Sequence, residues 1–442
     1  MKQKDTLFWI WLAEALGASS RDFRSLITLY ENPYDIFHME DVELERIEGI
    51  TQRTVKALSD KSLARANEIL SLCEQMGIGI LPYGDDAYPH ALRELPRPPI
   101  LLYYRGKLPD FRKLLCIAMV GTRKMSEYGL HTAYRLSYEL ASVGVTVVSG
   151  MAAGIDGVCA AGALAARGST VAVLGCGIDR TYPRHHEGLK REIEHRGVIL
   201  SEYPPKTPPN SYHFPARNRI ISGLAQGTVV VEAGLGSGSL ITAKDAIMQG
   251  RDVFAVPANV GSKGAEGTNG LLRDGANMAL CAEDVLRVYQ YVYSDTLNLK
   301  NLPEAKQSSK TDLRFLERLG VIELMPQRAD RPAPPPPPTV PTPKRAGRKE
   351  KAQEQVSKET SVAHEPSQTK STPEKKQTPD AILSSLTPIQ LAVLQAIPDD
   401  RAVTTDALNN LEYPYSDIIA ALTMLEILGL IVKLPGALYT KS

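Results

Sequence analysis

Residues 114–156 read LLCIAMVGTRKMSEYGLHTAYRLSYELASVGVTVVSGMAAGID. An apolar run, Leu115–Val120, ends at Gly121-Thr122-Arg123-Lys124. An amphipathic stretch follows, and a second apolar run, Val145–Ser149, opens into another Gly-rich loop. Near-continuous apolar runs of this length suit strands buried on both faces. Two such strands joined by an amphipathic helix form a βαβ unit, the building block of a parallel sheet covered on both sides. Four more runs repeat the pattern: Thr170–Leu174, Val198–Ser201, Thr228–Val231 and Val253–Val256. The expected fold class is α/β, a Rossmann-like, doubly wound, mostly parallel sheet over 113–295 that ends near Tyr293.

Working outward, residues 1–65 read as short helices. Ile47-Glu48-Gly49-Ile50-Thr51 has the form of a helical hairpin, with Gly49 in the turn and Thr51 as the cap of the next helix. Such a hairpin either holds a DNA phosphate or simply packs. Residues 66–112 bridge to the core through Pro96, Pro98 and Pro99. Residues 296–383 are compositionally a disordered tether, with five prolines at 334–338 and then a Lys/Glu/Ser/Thr/Gln-rich tract. An apolar island at Leu313–Leu324 is the part of it able to dock, and the basic cluster at 344–351 reads as solvated chain or a weak nucleic-acid contact. Residues 384–442 read as Pro388–Ile397, Thr405–Leu411 and Ser416–Leu428 helices with a hairpin turning at Pro435-Gly436, a winged-helix pattern. Its third helix has no Lys or Arg between Tyr415 and Leu430. That argues for protein docking or weak DNA contact over sequence reading.

Bulk properties narrow the function classes. The chain has 442 residues, with 51 Lys+Arg against 50 Asp+Glu, so any basic surface is local. No apolar run reaches membrane-spanning length. The N-terminal MKQKDTLFWIWLAEALG carries Glu14 inside its apolar part, as a folded helix does and a signal peptide does not. The 5 cysteines form no metal-binding pair and fit a reducing, cytoplasmic compartment. Cys176, in a Gly-rich loop, is read as a passive small residue.

Loops at the carboxyl ends of parallel strands form the ligand crevice of such folds. Four qualify: Gly121–Lys124; Ser149-Gly150-Met151-Ala152-Ala153-Gly154-Ile155-Asp156, read as an anion nest at a helix start; Gly175-Cys176-Gly177; and Glu232-Ala233-Gly234-Leu235-Gly236-Ser237-Gly238-Ser239, which leads into a helix with Thr242. None is a Walker loop or a full dinucleotide fingerprint. Asp156 and Glu232 are the loop carboxylates available for catalysis, and each can equally cap a helix or hold a loop. Phe214-Pro215-Ala216-Arg217-Asn218-Arg219 opens a further helix. Its ring can stack a base while Arg217 and Arg219 hold phosphates near the helix N-terminus. The competing reading is a pair of structural arginines beside a core phenylalanine.

VGTRKMSEYG (120–129), SGMAAGID (149–156), GCGIDRTYP (175–183), SEYPP (201–205), FPARNRIISGL (214–224), VVEAGLGSGSLITA (230–243), GRDVFAVPA (250–258) and GTNGLLRDGA (267–276) together resemble the successive motifs of the DNA-processing protein A (DprA/Smf) family. The resemblance implies a cytoplasmic, non-enzymatic, homodimeric protein that binds single-stranded DNA and loads the RecA recombinase in natural transformation. It implies no cofactor. Carried over by residue, the DNA-binding set is Gly121, Thr122, Arg123, Lys124, Ser149, Gly150, Ala153, Gly154, Phe214, Arg217, Asn218, Arg219, Gly238 and Ser239. Asp156, Glu232, Thr242 and Asn269 would organise the loops. The chain departs from the family pattern at Thr122 (commonly Ser), Ala160 (often His) and Ala258 (commonly Gly). The flanking helices fit a SAM/helix-hairpin-helix-like domain. The alternatives are a nucleotide-binding enzyme of the nucleoside-monophosphate phosphoribohydrolase type, using Glu232, and a scaffold with a vestigial crevice.

Overall fold

A computed structural model describes residues 3–303, 311–323 and 386–398, and parts of 403–441. The first compact unit contains everything described up to residue 323. Its strands are β1 (Gly79–Pro82), β2 (Leu101–Gly106), β3 (Cys116–Val120), β4 (Thr146–Ser149), β5 (Thr170–Leu174), β6 (Val198–Ser201), β7 (Gly227–Val230), β8 (Asp252–Ala255) and β9 (Asn277–Met278). They form one sheet in the order β1-β2-β6-β5-β4-β3-β7-β8-β9. From β6 to β9 every ladder is parallel, and β1 and β2 add to the β6 edge as antiparallel strands.

All six expected apolar runs are strands, displaced by at most one residue at either end. The bridging segment is more than a bridge. It supplies β1 and β2, because its proline-rich turn lets the chain come back along the sheet edge. Those two strands and the two-residue β9 were not read from the sequence.

The helices of this unit are α1 (Gln3–Leu16), α2 (Asp22–Leu29), α3 (Pro33–His38), α4 (Asp41–Glu45), α5 (Gln52–Ser59), α6 (Ala64–Met76), α7 (His90–Arg93), α8 (Glu127–Ser142), α9 (Ile155–Ala165), α10 (Glu187–Arg196), α11 (His213–Leu224), α12 (Ser239–Met248), α13 (Glu266–Arg273), α14 (Ala282–Tyr289) and α15 (Leu313–Arg318). Strand β3 shows why the sheet is covered twice. Ile117 and Met119 pack with Leu136, Leu140 and Val158 of α8 and α9. Cys116, Ala118 and Val120 pack with Ile220, Ile221 and Ala243 of α11 and α12 on the opposite face. Successive side chains of a strand point to opposite faces, so an unbroken apolar run needs both layers.

The helical hairpin between α4 and α5 has the expected turn, with Gly49 at φ +83° and Thr51 accepting from the Thr54 N–H. Its polar groups are tied inward. Asp22 accepts hydrogen bonds from Thr51 N–H and both threonine hydroxyls.

The stretch read as tether from 296 begins with ordered chain. Leu316, Leu319 and Val321 are buried in the core on the α8–α9 side, and the Leu189 N–H bonds the Leu319 carbonyl. The apolar spacing of the island lets α15 bury one side. In the second unit, α16 (Pro388–Ala396) is capped by Thr387, and β10 (Val403–Thr404), β11 (Ile431–Leu434) and β12 (Leu438–Lys441) form an antiparallel sheet in the order β10-β12-β11. Val393, Ile418, Leu422, Leu425 and Tyr439 share its core. Much of the expected Thr405–Leu411 and Ser416–Leu428 helices, with Ile419 and Leu428, lies outside the described residues, as does the basic cluster at 344–351.

Candidate nucleic-acid interface

Strand β3 neighbours β4 on one side and β7 on the other. The chain leaves β3 toward one layer and β7 toward the other, so their C-terminal loops part and leave a crevice. A cavity of about 570 Å³ opens there. Gly121–Lys124 forms one wall and Ser237, Gly238, Ser239 and Thr242 form another, with Phe214, Arg217 and Asn218 of α11 between them. Two loops far apart in sequence and one crossover helix therefore converge, as the crevice reading expects.

Phe214 is half-buried at the start of α11. A Cβ at Gly175 would stand 3.0 Å from its ring, so the absence of a side chain there gives the ring its seat. The Arg123 guanidinium lies over it, 5.2 Å from the centroid, and Arg217 at 6.0 Å. Arg123 and Lys124 are exposed, and among the described residues neither side chain has an ion pair. They are the crevice cations available to a ligand.

Arg217 has a different situation. It is 3% exposed, donates to the Gly150 carbonyl at 2.9 Å and also to the Val173 carbonyl. Burial pushes its pKa down, partly offset by the Asp156 carboxylate. It lines the cavity floor while joining α11 to the ends of β4 and β5. Arg219 is absent from the cavity lining. Its guanidinium is 2.6 Å from Glu202 Oε1 and also holds the carbonyls of Arg97 and Ala216. Both side chains of that pair are buried, at 7% and 4% exposure. The expected phosphate contact Arg219 is thus placed in a buried ion pair, away from the cavity lining. Neither arginine is in the first turn of α11, which begins at His213.

The second loop also differs from the open anion nest. Ser149 is buried and donates to the Met119 carbonyl, and the Gly150 N–H is taken by Asp156 Oδ2 at 3.1 Å. Asp156 sits in the first turn of α9, so the helix start is filled by the chain's own carboxyl. Burial raises its pKa, against the Arg217 charge and the backbone N–H groups of Ala152, Gly150 and Gly121. Ser149, Gly150, Ala153 and Gly154 lie outside the lining, to which this loop gives Ala152 and Asp156. Gly154, at φ +82°, lets the second loop touch the first: a Cβ there would be 2.3 Å from the Thr122 carbonyl.

The remaining residues hold loops. Glu232 Oε2 accepts from the Ser126 N–H at 2.9 Å and its hydroxyl at 3.1 Å, fixing the start of α8. Asn218 reaches the Gly238 carbonyl at 3.3 Å, and Ser239 pairs with Ser237. Asn269 clamps both backbone groups of Ala258, so it organises the turn after β8 rather than the cavity wall. Cys176 is buried and its thiol pKa is raised by burial, which fits the passive reading. Tyr182, Pro209, Ser211 and Ile241 also line the cavity and were not singled out from sequence. Tyr182 stands in the quoted GCGIDRTYP stretch, but nothing in its spacing shows that its ring comes 5.2 Å from that of Phe214.

Residues 79–290 match the profile of the family described as DNA recombination-mediator protein A. The chain is 36% identical over 244 residues to the DNA processing protein DprA of Bacillus subtilis (strain 168), covering 54% of this chain and 82% of that protein. It is 38% identical over 275 residues to protein Smf of Escherichia coli (strain K12), covering 62% of this chain and 71% of the other. Among solved structures, the DNA processing protein A of Streptococcus pneumoniae aligns with a TM-score of 0.57 at 32% identity, over 64% of this chain and 97% of that one.

Proposed function

The chain belongs to the DNA recombination-mediator protein A (DprA/Smf) family, and from that premise we propose that it binds single-stranded DNA in the β3–β7 crevice. The observation that carries the reading is the placement of exposed Arg123 and Lys124 beside the Phe214 ring at the switch point of the sheet. The cations take phosphates and the ring takes a base, which gives binding tolerant of sequence and favours unpaired strands. Arg217, Asn218, Asp156, Glu232, Ser239 and Thr242 shape the site; Arg219 holds its frame.

The protein acts on this reading as a cytoplasmic, cofactor-free homodimer that protects incoming DNA and delivers it to RecA in natural transformation. Exposed Ile247 and Met248 on α12 and Met278 on the edge strand support self-association. Residues 1–65 serve as the SAM/helix-hairpin-helix-like domain, 113–295 as the DNA-binding core against which α15 packs, the chain between α15 and 383 as a linker and 384–442 as a winged helix. The role is non-enzymatic. Glu232, the carboxylate a phosphoribohydrolase would use, spends Oε2 on the Ser126 N–H and hydroxyl, in keeping with a loop-holding role.

Anisotropy of a labelled dT oligonucleotide against the full chain, across salt concentrations, tests the site. Arg123→Ala should weaken binding to all sequences alike and flatten the log–log salt slope by about 0.7, the loss of one phosphate contact on a single strand. Unchanged affinity and slope in both Arg123→Ala and Lys124→Ala would remove the crevice from DNA binding.

A further inference from the structure

We propose that Tyr182 is a second base-stacking residue of the crevice, so that the site holds two adjacent bases; this rests on the strand-binding reading above. Besides Arg217, three groups border the Phe214 ring. Gly175 seats its edge, Arg123 lies over it, and Tyr182 stands 5.2 Å away with the ring planes inclined at 35°. Phe214 is half-buried, so its own free surface is small. Tyr182 is 37% exposed and lines the same cavity. No hydrogen bond of its hydroxyl is found among the described residues, and the ring is not part of the hydrophobic core.

A large aromatic ring left in water at a cavity mouth, beside a second ring and an unpaired guanidinium, has the composition of a stacking platform. Consecutive bases of a single strand are joined by one phosphate. Two rings at neighbouring positions with Arg123 between cavity and solvent match that repeat of base, phosphate, base. Among the described residues Arg123 makes no ion pair, so it can leave the Phe214 face for a phosphate when a base arrives. Tyr182 then takes the following base on its outer face. Its position comes from the chain just after the third loop, so that loop too contributes to binding.

The test uses the full chain with a labelled dT oligonucleotide and, for comparison, an all-abasic deoxyribose-phosphate strand of the same length. Tyr182→Ala should weaken dT binding roughly ten-fold while leaving the salt slope and abasic-strand binding unchanged. Tyr182→Phe should restore dT affinity, since stacking needs the ring and not the hydroxyl. Tyr182→Trp adds an optical readout: its fluorescence should be quenched by dT and not by the abasic strand. Full dT affinity in Tyr182→Ala, or unquenched Tyr182→Trp fluorescence in a DNA-saturated complex, overturns the proposal. If Arg123→Ala and Lys124→Ala also bind normally, the crevice reading itself has failed; if they bind weakly and only the Tyr182 variants do not respond, the second platform alone is lost.

Discussion

Removing Arg219 separates a frame residue from a strand contact. Its guanidinium meets Glu202 at 2.6 Å, Arg97 O at 2.9 Å and Ala216 O at 3.0 Å. Glu202 Oε1 keeps the Ser19 N–H at 3.0 Å, but Oε2 has no hydrogen-bond partner among the described residues. Arg219→Ala therefore leaves a buried carboxylate with one neutral donor. Breaking a buried pair from one side costs about 3–5 kcal/mol, because the remaining charge is uncompensated. Two backbone carbonyls also lose a charged donor, so the upper part of that range is expected. Urea unfolding followed by tryptophan fluorescence suits the measurement, since Trp9 and Trp11 are both buried in α1. Below the unfolding range, dT affinity should stay within about two-fold of wild type, as Arg219 does not reach the cavity. Arg219→Met combined with Glu202→Leu should recover more than half of the lost stability, since an ion pair replaced from both sides by apolar groups is often neutral. Near-wild-type stability in Arg219→Ala together with a ten-fold or larger loss of DNA affinity would refute the reasoning and return Arg219 to the strand.

Two further outcomes follow from the loops. His186 is fully buried, with Nδ1 3.1 Å from the Met151 carbonyl, and burial lowers its pKa to about 4. The unfolded chain protonates near 6.5, so it binds a proton that the folded state refuses; stability present above pH 6.5 is lost as pH falls toward 4, by up to about 3 kcal/mol. Unfolding curves of His186→Asn should lack that fall, and an equally steep one would assign it to other groups. Gly154→Ala should destabilise the unit by about 2–4 kcal/mol, through a φ that suits glycine and a Cβ driven onto the Thr122 backbone. It should also weaken dT binding by displacing Arg123, and wild-type melting and affinity would show that the two loops yield freely.

The six parallel strands and their loops were legible because burial on both faces leaves unbroken apolar runs, a one-dimensional signal. β1 and β2 were not, since edge strands in a proline-broken segment have no such run. Within the site, the sequence expects all four loops to converge, whereas the strand order that sets the first loop beside the fourth comes from the folded sheet. What Arg217 and Arg219 do could not. Two residues apart on α11, they point about 200° apart around the helix axis. One drops onto Gly150 and Val173 and the other turns to Glu202. Sequence sees two arginines beside an aromatic ring and assigns them one role.

Sequence alone determined the doubly wound sheet, the place of the crevice and the family, because each rests on the order of apolar runs and glycine loops along the chain. Only the tertiary structure decided which side chains face that crevice. Facing depends on helix rotation and on which buried group claims each donor first: Asp156 fills the second loop, Glu202 takes Arg219, and Arg123, Lys124 and Tyr182 are left pointing to solvent.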